Sequence, residues 1–122
     1  MLSEADLSRL VARIVQGYGP LVVGTFGSYA IGLASAQSDL DLFVIKQTTE
    51  RPAARARAAR QLLPGVLYPL DVHVFTPAEF EETAYEEMSF TWVIAKQARI
   101  YHWSDEAARL VPSLSPCSSP VE

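Results

Sequence analysis

Two aspartates separated by one leucine, Asp39 and Asp41, stand directly before an apolar run in the stretch GSYAIGLASAQSDLDLFVI, residues 27–45. In a strand, side chains at i and i+2 leave the same face, about 6–7 Å apart along the chain. Both carboxylates are ionised at neutral pH, and they repel unless something positive stands between them. Hard divalent cations such as Mg²⁺ take carboxylate oxygens together with waters and substrate phosphates. Asp71, ahead of the alternating Val72-His73-Val74-Phe75, is the natural third carboxylate if its strand lies beside the first. Two metals held this way could activate an attacking oxygen and stabilise a leaving pyrophosphate in an in-line displacement. Gly27-Ser28, separated from Asp39 by ten residues, supplies the complementary part. Gly27 lets the backbone approach a ligand closely. Ser28, at a helix start, offers a hydroxyl and free N–H groups that suit phosphate.

The elements that must position these residues are readable from periodicity. Ser3 caps a first helix with Leu7, Leu10, Val11, Ile14 and Val15 on one side, stopped by Gly17, Gly19 and Pro20. LVVGTF (21–26) reads as a buried strand, and YAIGLAS (29–35) as a short helix whose Gly32 permits close packing on the sheet. DLDLFVIK (39–46) is a second strand, with Leu40, Leu42 and Val44 on one face and Asp39, Asp41, Phe43 and Ile45 on the other. ERPAARARAARQLL forms a helix, VLYPLDVHVF a third strand broken near Pro69, and Thr76-Pro77-Ala78-Glu79 a capping box opening the helix AEFEETAYEE. SFTWVIAKQA is a further helix and RIYHW a short last strand. The order predicts one α/β or α+β domain over 1–111, a small mixed sheet flanked by helices. Residues 112–122, rich in Ser and Pro, are expected to be a disordered tail.

Composition bounds the function. The chain has 122 residues, 49% hydrophobic and 20% charged, with net charge −4. That is ordinary for a globular domain and lacks the basic face of a direct nucleic-acid binder. MLSEADLSRL does not read as a signal peptide, and no apolar run approaches the length of a membrane span, so a cytoplasmic location is expected. The one cysteine, Cys117, gives neither a disulfide nor a thiolate metal site.

Gly27-Ser28, ten intervening residues, Ser38-Asp39-Leu40-Asp41-Leu42, and then Asp71 before an apolar strand and TPAEF together resemble the signature of the DNA polymerase β-type nucleotidyltransferase superfamily. The small size is similar to the minimal nucleotidyltransferases, the MntA-like antitoxins encoded beside HEPN-domain toxins. The resemblance implies a polymerase β-like fold with two Mg²⁺ ions held by Asp39 and Asp41. Asp71 would bind the catalytic metal and help deprotonate the acceptor. Gly27 and Ser28 would hold the β- and γ-phosphates of ATP. It further implies transfer of AMP to a tyrosine hydroxyl of a partner HEPN RNase toxin, silencing it, within a hetero-oligomer. Many relatives read GSxARG, whereas this chain has Ile31 in place of the arginine. Two alternatives stand beside this: an antitoxin that neutralises by binding alone, and a transferase acting on a small-molecule hydroxyl.

Other residues have plainer readings. His73 shares the predicted face of Asp71 but is read as hydrogen-bonded or surface, and His102 as structural. Arg51, Arg55, Arg57 and Arg60 form a solvated basic helix face balancing the acidic helix. Trp92, Tyr85, Phe90 and Trp103 are core or semi-core by default. Tyr29 is either a packing residue or a wall of the nucleotide pocket.

Overall fold

The structure, a computed structural model, describes residues 2–63 and 69–116. Helix α1 (Glu4–Tyr18) starts in a reciprocal capping box between Ser3 and Asp6 and ends at Gly19, whose φ of 66° closes the last turn. Strand β1 (Val22–Phe26) follows and then a three-residue 3₁₀ turn, Gly27–Tyr29. Strand β2 (Leu40–Ile45), helix α2 (Pro52–Gln61) and strand β3 (Leu70–Phe75) come next. Helix α3 (Pro77–Ala84) opens on the expected Thr76/Glu79 capping box, and helix α4 (Phe90–Gln97) on Ser89. Strand β4 (Arg99–Trp103) and one helical turn, α5 (Ala107–Leu110), complete the order. None of the helices among the described residues is long and apolar enough to cross a membrane.

The four strands lie in the order β3-β2-β1-β4. β2 pairs parallel with β3, and β1 pairs antiparallel with β2 and β4, so the sheet is mixed as predicted. Its two faces divide the core in two. Val23, Leu40, Leu42, Val44, Val72 and Val74 pack with Leu7, Leu10, Val11 and Ile14 of α1 and Ala59 of α2. Val22, Phe26, Phe43 and Ile45 pack with Phe80, Ala84, Ile94, Ala107 and Val111. β2 is an inner strand covered on both faces, which is why its sequence is apolar at every position but one. That position is Asp41.

Several expectations need correction. YAIGLAS forms no α-helix: the 3₁₀ turn gives way to turns through Ile31 and Gly32. Gly32 is exposed at φ 79° with open space where a Cβ would stand, so it reverses the chain rather than allowing close packing. The helix read through AEFEETAYEE stops at Ala84. Residues 66–68, read as part of the third strand, lie outside the described residues, and the described strand begins at Leu70. The Ser/Pro-rich segment is seated over its first residues: Leu114 is buried among the Phe43 and Phe80 side chains' cluster, and Ser113 N–H donates to Glu81 Oε2 at 3.1 Å.

Arg55 does not belong to a solvated basic face. It is buried, with Nη1 and Nη2 donating to Glu79 Oε1 and Oε2 at 2.6 and 3.2 Å and Nε donating to the Glu50 carbonyl at 2.6 Å. Composition alone did not reveal that Arg55 turns inward while its neighbouring arginines stay on the surface.

Candidate active site

Strand register builds the site. Phe26 of β1 pairs with Asp41 of β2, and Asp41 pairs with Asp71 of β3. Asp41 and Asp71 are therefore neighbours across a parallel pair, directed to the same face. That face also carries Phe43 and His73, which pair with each other one pleat further along. Asp39 stands one residue before β2 and is exposed, as is Asp71, whereas Asp41 is half-buried.

Asp41 bears the cost of this arrangement. Burial raises its pKa above the usual carboxylate value, and the charges of Asp71 and Asp39 raise it further, while His73 acts in the opposite sense. Asp41 thus carries the influence of both neighbouring carboxylates. Among the described residues, however, no three His, Cys, Asp or Glu side chains converge closely enough to form a ready-made metal cage. An all-oxygen donor set around a half-buried, repelled carboxylate suits a hard divalent cation that also takes waters and phosphate oxygens. Asp39, Asp41 and Asp71 are the residues that could contribute to holding one.

The turn after β1 closes on the same carboxylate. Gly27 has φ 72°, which favours glycine, and a Cβ on it would stand 2.7 Å from Asp41 Oδ2, so a larger residue would also force that carboxylate to move. Its carbonyl accepts from Ala30 and Ile31 N–H at 3.0 and 3.2 Å, and the Ser28 carbonyl accepts from Leu33 N–H at 2.9 Å. Of the turn's opening N–H groups, Gly27's is taken by a side chain of α4, which leaves those of Ser28 and Tyr29 to face an anion. Ser28 is half-buried beside them. Its setting is a 3₁₀ turn, not the start of an α-helix as expected, so no helix dipole reinforces it.

Two contributors were not expected. Gln97, in the last turn of α4, accepts the Gly27 N–H through Oε1 at 3.0 Å and so ties the turn to a helix seventy residues away. A glutamine at a helix end gives no sequence signal of such a role. His73 is wedged between the rings of Phe26 and Phe90, with centroids at 5.6 and 5.1 Å. Its expected surface role gives way to an aromatic floor beneath the carboxylates. Tyr29 is a packing residue: its hydroxyl accepts the Leu2 N–H at 3.1 Å, beside the start of α1.

A model of the nucleotidyltransferase domain matches residues 7–114, and the chain belongs to that family. No match was found among curated proteins. Among solved structures, the chain is similar to that of a toxin–antitoxin with AMP-PNP, at 18% identity over 85% of this chain and 79% of that one, with a TM-score of 0.59. It is also similar to a mutant of the toxin–antitoxin MntA-HpeT, at 17% identity over 90% of this chain and 81% of that one, with a TM-score of 0.56. At these identities the likeness is one of fold.

Proposed function

We propose that this nucleotidyltransferase is the antitoxin of a two-protein system and moves AMP from ATP to a tyrosine hydroxyl of a HEPN-domain RNase toxin, silencing it. The observation that carries the reading is the carboxylate row: Asp41 and Asp71 in register, Asp39 beside them, and the Gly27-Ser28 turn packed onto Asp41. The family match supports nucleotidyl transfer. The two structural neighbours named above are toxin–antitoxin proteins, one with AMP-PNP and one with two aspartates, two positions apart, changed to glutamate. Asp39 and Asp41 have that same spacing.

In the reaction, the tyrosine oxygen attacks the α-phosphorus, the bond to the bridging oxygen of the β-phosphate breaks, and pyrophosphate leaves. Two Mg²⁺ ions, held by Asp39 and Asp41 with Asp71 on one of them, would supply charge neutralisation on the phosphates and a more acidic acceptor hydroxyl. Asp71, exposed at the edge of the row, would take the acceptor proton. The Gly27-Ser28 turn holds the β- and γ-phosphates with backbone N–H groups and the Ser28 hydroxyl. Gln97 keeps that turn in place.

A second reading, neutralisation by binding alone, is favoured by Ile31, which stands where GSxARG relatives carry arginine. Co-expression with the candidate toxin separates the two. If transfer silences the toxin, the Asp39→Asn/Asp41→Asn variant loses the growth rescue that the wild-type chain gives. Full rescue by that variant would mean silencing by occlusion.

A further inference from the structure

Between α3 and α4 the chain turns through Tyr85-Glu86-Glu87-Met88-Ser89, and this elbow carries apolar surface outward. Tyr85 is 67% exposed, Met88 75% and the following Phe90 49%. Leu33, elsewhere, is the one other large hydrophobic so exposed among the described residues. The elbow is firmly held: Ser89 Oγ donates to the Thr83 carbonyl at 2.6 Å and accepts the Trp92 N–H at 3.1 Å. The Thr83 and Thr91 hydroxyls lie 2.6 Å apart beneath it. Met88 has φ 71°, a left-handed conformation that costs a residue with a Cβ about 1 kcal/mol or more. A strained, well-fastened turn thus displays a methionine side chain to solvent, and methionine adapts readily to apolar partners.

A hollow of about 570 Å³ opens beside the elbow, lined by Val72, His73, Val74, Phe75, Phe90 and Thr83 among others. Phe90 forms its wall and also meets the His73 ring, two residues from Asp71, so the hollow adjoins the carboxylate row. Charge along the elbow's own segment is one-sided, although Lys96 stands near Tyr85 and the arginine-bearing α2 also lines the hollow through Pro52 and Ala56. From Gln61 to Ala95 the sequence has no Lys or Arg but holds Asp71, Glu79, Glu81, Glu82, Glu86 and Glu87. Glu79 is satisfied by Arg55 and Glu81 by Ser113, whereas Glu82, Glu86 and Glu87 are exposed without an ion pair among the described residues.

We infer that the elbow and its hollow are the docking surface for the protein that carries the acceptor hydroxyl, and that the docking segment is apolar and basic. Its apolar side chains fill the hollow against Phe90 and cover Met88 on the elbow beside it, and its Lys or Arg side chains meet Glu82, Glu86 and Glu87. An apolar centre with a charged rim is the usual anatomy of such surfaces, the rim setting association rate and salt dependence. The inference rests on the reading that the acceptor is another protein, and adds the chemistry that protein must present.

The test uses the full chain and a labelled amphipathic peptide built of Lys and Leu, beside its Glu and Leu counterpart. The Lys/Leu peptide is expected to bind in a salt-dependent way and to shift the backbone amides of 85–90. Binding should weaken about tenfold or more in Met88→Asp/Phe90→Asp and in Glu86→Lys/Glu87→Lys, and stay unchanged in Arg13→Ala on α1. The charge-reversal pair sits at exposed positions, so it decides the question even if the apolar variant does not fold. Wild-type affinity in the elbow variants, or equal binding of the Glu/Leu peptide, overturns the inference. The same variants with the candidate toxin and labelled ATP keep the two ideas apart. Undiminished labelling in the elbow variants sinks the docking surface alone. A wild-type chain that never labels the toxin, yet docks the peptide at the elbow, sinks the transfer reading alone.

Discussion

At the scale of single residues, Asp41 and Gly27 form the tightest constraint in the site. Gly27→Ala places a methyl group 2.7 Å from Asp41 Oδ2 on a backbone with φ 72°. The expected cost is about 1–3 kcal/mol of stability, read from urea unfolding, together with loss of most transfer activity as the turn shifts. The pKa of Asp41 gives a second prediction, with a definite sign. Its folded value is raised above the ordinary carboxylate value of 3.8, so the native state binds the proton more tightly than the unfolded chain does. Without a cation, this carboxylate therefore costs stability as pH rises from about 4 through its folded pKa, and the cost persists above it. Asp41→Asn should be more stable than wild type at neutral pH, and the gap should close as pH falls to 4. Thermal melts of both proteins across that range check it, and added Mg²⁺ should narrow the gap at neutral pH. These residues were legible in the sequence because glycine, serine and paired aspartates have few other reasons to occur at that spacing. Gln97 was not legible, since its hydrogen bond to Gly27 exists only once α4 folds back over β1.

Elements explain why the site stays in place. β2 is buried on both faces, and its pairing with β1 and β3 fixes the row Phe26, Asp41, Asp71. A slip of one residue would turn every β2 side chain to the opposite face. The period-two pattern of LDLFVI therefore told which face Asp41 takes, and the structure agrees. The segment after Gly27 was harder. YAIGLAS has helix-forming residues, yet Gly32 at φ 79° ends any helix before a second turn. Arg55 and Glu79 tie α2 to the start of α3, and Glu79 also completes that helix's capping box by accepting the Thr76 N–H at 3.0 Å. Glu79→Ala removes both and leaves a buried guanidinium without its carboxylate. A loss of about 2 kcal/mol is expected, reduced from the fully buried case because Glu79 is itself 43% exposed. Urea midpoints of the variant and wild type give the comparison; an unchanged midpoint would show that Arg55 finds another partner.

For the whole molecule, one small mixed sheet brings together the Gly27-Ser28 turn, a carboxylate row and an aromatic floor. Periodicity and turn residues revealed the sheet and its flanking helices. They did not reveal α5 or the seating of Leu114, because a four-residue helix and a single leucine in a Ser/Pro-rich segment carry no repeat to read. The central claim is that these parts together transfer AMP to a partner protein. Its most direct test is incubation of the chain with α-labelled ATP and Mg²⁺, with and without the candidate toxin, beside the Asp39→Asn/Asp41→Asn variant. The account predicts label and AMP mass on a toxin tyrosine, dependent on metal and absent with the variant. A toxin that is silenced in a stable complex without gaining label would contradict it.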